Sequence, residues 1–366
     1  MTTHAPGGGG DLSVHANELF VDAAYAGAQS NGSPGAPFNT ITEALAVAAA
    51  NDLIIIAPGT YTEDLTLVDG VDLKSLVPES VTVVGTATAN DVSCVIQGIN
   101  FIDDTAGSAF HFTGTAATVG RFILCQFNAT ATGDPAFTAD NTAGTLGFQG
   151  CEFGVAAGNA AEACQIESGT VSFRECALVH ATNTNESLVA EGDAATAIVC
   201  RDCTFTGTIS SEAAVANPTL ELNNCAITAG AVSGVVVAAG NTVVILDSSI
   251  SCTDAANDAI DGAGTVTIKD LAFLAAADEI AATVTVTHWA GSWIQHGSYT
   301  EAAGAGTRAI TFPQPFPSAA VNVFVTYQDT GAGVQASSNE IDTIAATGFN
   351  LTTQVNGIYH WFAIHA

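Results

Sequence analysis

The sequence has almost no positive charge. Its 366 residues include 6 Lys+Arg against 36 Asp+Glu, a formal net charge of -30 at pH 7. Grip on a nucleic-acid backbone needs clustered basic side chains, so that class of function is excluded. The same deficit excludes adhesion to anionic membranes by charge alone. Long apolar runs are missing too. Gly, Thr, Asp or Asn interrupts each one well before the roughly 18 residues of a membrane span, so no membrane insertion is expected. The stretch Met1 to Gly10 has neither a basic segment nor an apolar core, and no secretory signal is expected there. Charged residues of both signs reach only 11%, which excludes a disordered acidic tail. The surface must then be mostly Thr, Ser, Asn, Gly and Asp. Such an acidic, Lys-poor surface suits salty water, where self-repulsion is screened.

What is present is a core and a period. Hydrophobic residues make up 48% of the chain. One short pattern recurs: an apolar residue, two corner residues, Cys or an apolar residue, any residue, then Phe, Leu or Ile. It opens at Ile96, Phe122, Phe148, Phe173, Cys200, Leu222, Ile245 and Ile268. It closes at Phe101, Phe127, Phe153, Leu178, Phe205, Ile227, Ile250 and Phe273, in steps of 22 to 27 residues. Two positions before each opening residue lie Cys94, Leu146, Val171, Ile198, Leu220, Val243 and Val266, with Gly120 the exception. Alternation on one strand, a two-residue corner and alternation on the next strand describe one coil of a β-solenoid. Eight coils about 4.8 Å apart rise roughly 34 Å from first to last.

The nine cysteines follow that period. Cys125, Cys151, Cys176, Cys203 and Cys225 fall in one interior column, where a buried thiol acts as a small hydrophobe. Cys200 and Cys203 form a C-x-x-C whose second half is absent, so they read as core residues flanking a corner and not as a zinc site. Disulfides are not required. The corners Arg174-Glu175, Arg201-Asp202, Asn223-Asn224 and Lys269-Asp270 suit hydrogen bonds up and down the stack and local acid–base pairs. Asp254, Asn257, Asp258 and Asp261 offer oxygen donors of the kind Ca²⁺ takes, but not at EF-hand spacing. They read as a solvated acidic turn, so no metal and no cofactor is expected.

The segment from Leu19 to Glu63 carries Ala36-Pro37-Phe38, then Ile41 to Ala50, then Ala57-Pro58-Gly59-Thr60-Tyr61. This phrasing resembles the start of pectate-lyase-like right-handed β-helices, in which a strand, a short capping helix and a "PGTY" coil follow in order. The resemblance implies an all-β right-handed parallel β-helix over 18–285, with a capping helix near 41–50 that covers the open end. It implies no activity, since enzymes, adhesins and phage spikes share this start. Residues 1–17 precede the fold and carry Gly7 to Gly10. They read as a flexible arm suited to attachment to other virion proteins.

After Phe273 the period stops, and the three tryptophans, Trp289, Trp293 and Trp361, all follow it. Short β-rich runs there read as a small antiparallel β-sandwich over 286–366. Ile294-Gln295-His296-Gly297, Ile310 to Pro317, Thr347-Gly348-Phe349 and Trp361 to Ile364 resemble, in order, the C-terminal domains of phage tail fibres related to H-type lectins. His296 stands where that family carries Trp. The resemblance implies a trimeric, distal, host-facing module.

These readings converge on a homotrimeric phage spike or fibre on the exterior of the virion. Outward apolar residues such as Val95, Val199 and Val244 could line a trimer interface. Host attachment through a surface glycan, without cleavage, is the leading expectation. Tyr327 and Tyr359 are the candidate contacts, because sugars stack on rings. A polysaccharide-depolymerising tailspike is the enzymatic alternative. Glycoside hydrolysis uses two carboxylates about 5–9.5 Å apart. The outward columns of the two recognised strands show only isolated acids, Glu152 and Glu221. Turn carboxylates such as Asp103, Asp104, Glu191 and Asp193 remain as candidates at an intersubunit groove. A purely structural capsid or tail decoration is the third reading.

Overall fold

The computed structural model describes residues 15–365 apart from 104–106, 131–132, 157–160, 183–184, 192–195, 213–217, 231, 253–256, 270, 276–279, 282, 289–293, 302–305, 312–320, 329–339, 346–347 and 354–356. The chain divides into two compact units, Met1–Thr265 with Asp270–Val284, and Val266–Lys269 with Thr285–Ala366. Most of the N-terminal arm lies outside the described residues, as do Trp289, Trp293, Asp104, Asp193 and Asp254.

The first unit is the expected right-handed parallel β-helix, with three strands in each coil. The columns read from the sequence are present residue for residue from Ile96 to Ile245 and from Phe101 to Phe273. On one face the register runs Ile96, Phe122, Phe148, Phe173, Cys200, Leu222, Ile245. On the next it runs Tyr61, Val83, Phe101, Phe127, Phe153, Leu178, Phe205, Ile227, Ile250, Phe273. This second face is a ten-stranded sheet. The period therefore begins two coils earlier than the sequence pattern shows, at Tyr61 and Val83. A third face carries the inward column Leu65, Ala87, Phe110, Phe137, Cys164, Leu188, Ile209, Val235, Ile260. Gly120 interrupts its column for a packing reason. A Cβ there would lie 2.6 Å from Leu146 Cδ2 and 3.0 Å from Phe112 Cε2.

Aromatic rings fill the middle of the helix. Phe127 stacks on Phe101 and Phe153 at 5.6 and 5.0 Å, and Phe148 stacks on Phe122 and Phe173 at 4.9 Å each. Phe110 and Phe137, from the third face, stack at 5.5 Å and meet the other two piles edge-on. Each such pair adds about 0.5–1.5 kcal/mol beyond area burial.

The corners explain the cysteines. The second corner residue is left-handed in coil after coil: Gly98, Leu124, Gly150, Glu175, Asp202, Asn224 and Asp247 have φ between 48° and 71°. Its N–H reaches the next coil, as in Glu175 to Arg201 O at 3.0 Å and Asn224 to Leu246 O at 3.0 Å. Ile99 follows Gly98; from Cys125 to Ser248 the residue that follows turns inward and donates back to the carbonyl two residues before it. Cys176 and Cys203 do so at 3.2 Å, Cys225 at 3.4 Å, and Ser248 takes the same place at 2.7 Å. The middle of the column, from Cys125 to Ser248, thus holds small side chains with a donor, with Ile99 before it and Leu271 after it. All nine cysteines are free and buried. Burial pushes the thiols of Cys94, Cys164 and Cys200 up, Cys94 to about 12.

The N-terminal strand Glu18–Val21 pairs in parallel with Leu53–Ile56. The capping helix is shorter than the span 41–50. It covers Ile41–Leu45, opened by a Thr40/Glu43 capping box and with Ile41, Ala44 and Leu45 buried. Asp52 draws the chain out of the helix by accepting from Ala49 N at 2.9 Å and Asn17 Nδ2 at 2.8 Å, and Asn51 is left-handed.

The second unit holds two antiparallel three-stranded sheets. In one, Gly357–His365 lies between Ile294–Glu301 and Val321–Gln328; in the other, Gly348–Thr353 lies between Gly306–Thr311 and Glu340–Ala345. Among the described residues of these two sheets, Ile310, Phe349 and Leu351 are buried.

Candidate functional site

The two tyrosines picked from the sequence come together. Tyr359 is directly opposite Tyr327 on one neighbouring strand and directly opposite Tyr299 on the other. Residues opposite one another across a ladder share a face of the sheet. A row of three tyrosines therefore crosses the whole sheet, about 10 Å from outer strand to outer strand. Tyr299 was not among the sequence candidates, because only the register of the closing strand reveals it. Trp361, two residues along, lies on the same face opposite Gly297 and Val325. His296, the departure from the tail-fibre phrase, pairs with Phe362 and is on the other face.

The carboxylates divide differently from expectation. Asp103 is not a free turn acid. It is 1% exposed and accepts from the Thr130 N–H at 3.1 Å, so it fastens one coil to the next. Glu152 is exposed on the second face, where Gln126 Nε2 approaches it at 3.4 Å. Glu191 belongs to a set the sequence did not show. Ile166, Ala190 and Ser211 are stacked on the third face, and Glu167, Glu191 and Glu212 follow them in three successive coils. Gln165 Nε2 donates to Glu191 Oε1 at 2.8 Å. Burial pushes the Glu186 carboxyl up, Ser210 partly offsets this, and Glu162 and Glu212 add to it. Burial likewise pushes Glu212 up, with Glu191 and Glu162 adding to it. Acids with raised pKa beside one another are a recognised mark of acid–base chemistry.

In the acidic turn, Asp261 is exposed and its Oδ1 accepts from the adjoining Gly262 N–H at 2.6 Å. The Asn257 carbonyl accepts from the Cys252 thiol at 3.7 Å. Among the described residues, no group of three or more His, Cys, Asp or Glu is placed to hold a metal ion. At the corners, Arg174 pairs with Glu175 at 3.5 Å as expected, whereas Arg201 reaches Glu221 at 3.8 Å and not its neighbour Asp202.

The chain thus combines a three-faced parallel β-helix with a unit of two antiparallel sheets. Residues 290–364 match the gp53-like tail fiber protein C-terminal family. Residues 25–243, more than half of the chain, match the family described as protein of unknown function DUF1565, and the chain belongs to that family. No curated protein matches it. Among solved structures, pectate lyase Pel9A is 12% identical, with 76% of this chain and 79% of that one covered and a TM-score of 0.49. The tailspike gp49 from Pseudomonas phage LKA1 is 14% identical, with 86% and 66% covered and a TM-score of 0.35. The Gp54 tailspike of Acinetobacter baumannii bacteriophage AP22, solved with A. baumannii capsular saccharide, is 9% identical, with 86% and 67% covered and a TM-score of 0.39. None of these likenesses transfers an activity to this chain.

Proposed function

We propose that this protein is a host-attachment fibre of a phage virion, a homotrimer whose C-terminal unit recognises a cell-surface glycan without cleaving it. The arm before residue 18 joins it to other virion proteins, and the β-helix is the shaft. One observation carries the reading: the tail-fiber family match at 290–364 falls on the unit in which Tyr299, Tyr359 and Tyr327 share one register position. Three tyrosines at one register position suit successive sugar rings, since an aromatic face offers apolar contact to the C–H side of a pyranose. The test is flow cytometry of labelled protein on a susceptible host. Tyr359→Ala is expected to weaken adsorption roughly tenfold, the loss of one good contact. Unchanged adsorption would remove the tyrosine row from the reading. A wild-type protein that labels no susceptible host would favour a structural decoration instead.

A second reading, a polysaccharide depolymerase, is favoured by one observation: the adjoining carboxylates Glu191 and Glu212 on successive coils, with Glu186 and Glu212 both raised. Coils are about 4.8 Å apart, close to the roughly 5–5.5 Å between the acids of a retaining glycosidase. Release of reducing ends from host polysaccharide, abolished by Glu212→Gln, would establish that reading. No release by the wild type would dismiss it.

A further inference from the structure

The corner between the first and second faces holds a groove of about 460 Å³ that spans three coils. Its rim is the left-handed column Asp202, Asn224 and Asp247, all exposed. Its floor is the outward column Thr204, Ala226 and Ser249, which stand side by side in register. Ala226 is the shortest of the three, so the middle coil forms a notch between two hydroxyls. Asn224 Nδ2 donates to Asp202 Oδ1 at 2.6 Å, which orders the rim.

The chemistry of this groove is that of short, regularly repeated donors and acceptors. A cation does not fit it. Asp202 and Asp247 are two coils apart, about 10 Å along the stack, while the ligands of a Ca²⁺ ion lie only about 2.3–2.6 Å from it. A polyhydroxylated ring does fit: carboxylate and amide oxygens accept from sugar hydroxyls, the Thr and Ser hydroxyls work in either direction, and the notch admits a ring edge. The sign of the rim adds selectivity. Two carboxylates on a chain of net charge -30 repel an anionic ligand and give it no counter-charge.

We propose that this groove is a saccharide subsite on the shaft, selective for uncharged sugars over acidic ones. It rests on the reading of the protein as a glycan-recognising fibre, but uses residues remote in sequence from the tyrosine row. The test is retention of the full-length protein in affinity gels. The gels hold neutral glucans, mannans or galactans, acidic polygalacturonate or alginate, or surface polysaccharide from a susceptible host. Ala226→Phe fills the notch from an exposed position, which leaves the core columns untouched. It is expected to weaken retention on a neutral polymer roughly tenfold, while Tyr359→Ala keeps the groove's share of the binding. Asp202→Asn with Asp247→Asn is expected to admit acidic polymers that the wild type rejects. Wild-type retention that Ala226→Phe leaves unchanged, or that Tyr359→Ala abolishes, overturns the groove and spares the glycan reading. Equal wild-type retention on acidic and neutral polymers overturns the selectivity. Retention on no polysaccharide, host material included, overturns both readings.

Discussion

At the scale of single residues, the corner column sets what each position tolerates. A left-handed backbone costs an ordinary L-residue roughly 1–2 kcal/mol, and Asn and Asp visit it more readily. Glu175 has φ 55° and its side chain forms an exposed pair with Arg174, whereas the Asn224 side chain at the equivalent place bonds to the rung before it. Glu175→Asn is therefore expected to stabilise the helix by about 1 kcal/mol, read as a higher denaturant midpoint at unchanged slope. The raised carboxylates give a second prediction. A Glu whose folded pKa lies above its unfolded value contributes fully below the unfolded value, and loses that contribution as pH rises through the folded one. Burial raises Glu186 above its ordinary 4.5. Glu186→Gln should then raise the melting temperature at about pH 7 and leave it unchanged at about pH 4. An equal shift at both would show that burial of the charge is not the cause. Neither the Glu set nor the donor role of the cysteines was legible in the sequence. Cys176 and Cys203 could be placed in a column, but the carbonyls of Arg174 and Arg201 that they bond become neighbours only when the corner closes.

At the scale of elements, two of the three faces could be read beforehand. Ile96 to Phe101 and its repeats keep a fixed two-residue corner, so strand and corner recur in phase. The third face has no such phase. Its turns differ in length from coil to coil, and Ala87, Cys164 and Ile209 share one column without a common residue type. The capping helix was overestimated because Ala-rich sequence favours helix, while the Asp52 bonds that end it come from residues beyond the Ala run. Tyr61 and Val83 escaped the pattern because the corners before them are longer: Ile54 and Leu73 share a column with Ile96 but lie 7 and 10 residues before them, against 5 from Ile96 to Phe101. The packing of the faces yields a prediction. Phe127 stacks on two rings of its own face and meets Phe110, Phe122 and Phe137 edge-on. Phe127→Ala should destabilise the helix by about 3–5 kcal/mol. Phe205 is equally buried but lies beyond the aromatic piles. Phe205→Ala should fall at the lower end of that range, and a reversed order would contradict the role given to the stacks.

For the whole molecule, the sequence readings of assembly and role converge on a trimeric fibre. Val95, Val199 and Val244 are only half-buried in the single chain, which leaves apolar surface for a neighbour to cover. Each chain carries -30, so assembly gathers like charge and should respond to salt. Light scattering is expected to give three times the 36.8 kDa chain mass, with dissociation easier at about 0.02 M than at about 0.5 M salt. A monomer at every salt concentration would contradict the trimer. The central claim, recognition of a glycan without cleavage, is tested most directly by one measurement. The protein is incubated with polysaccharide isolated from a susceptible host, and the mixture is followed by size-exclusion chromatography with light scattering. The account predicts that the protein moves to the elution position of the polymer while the polymer mass stays constant over hours. A falling polymer mass would contradict it and establish a depolymerase.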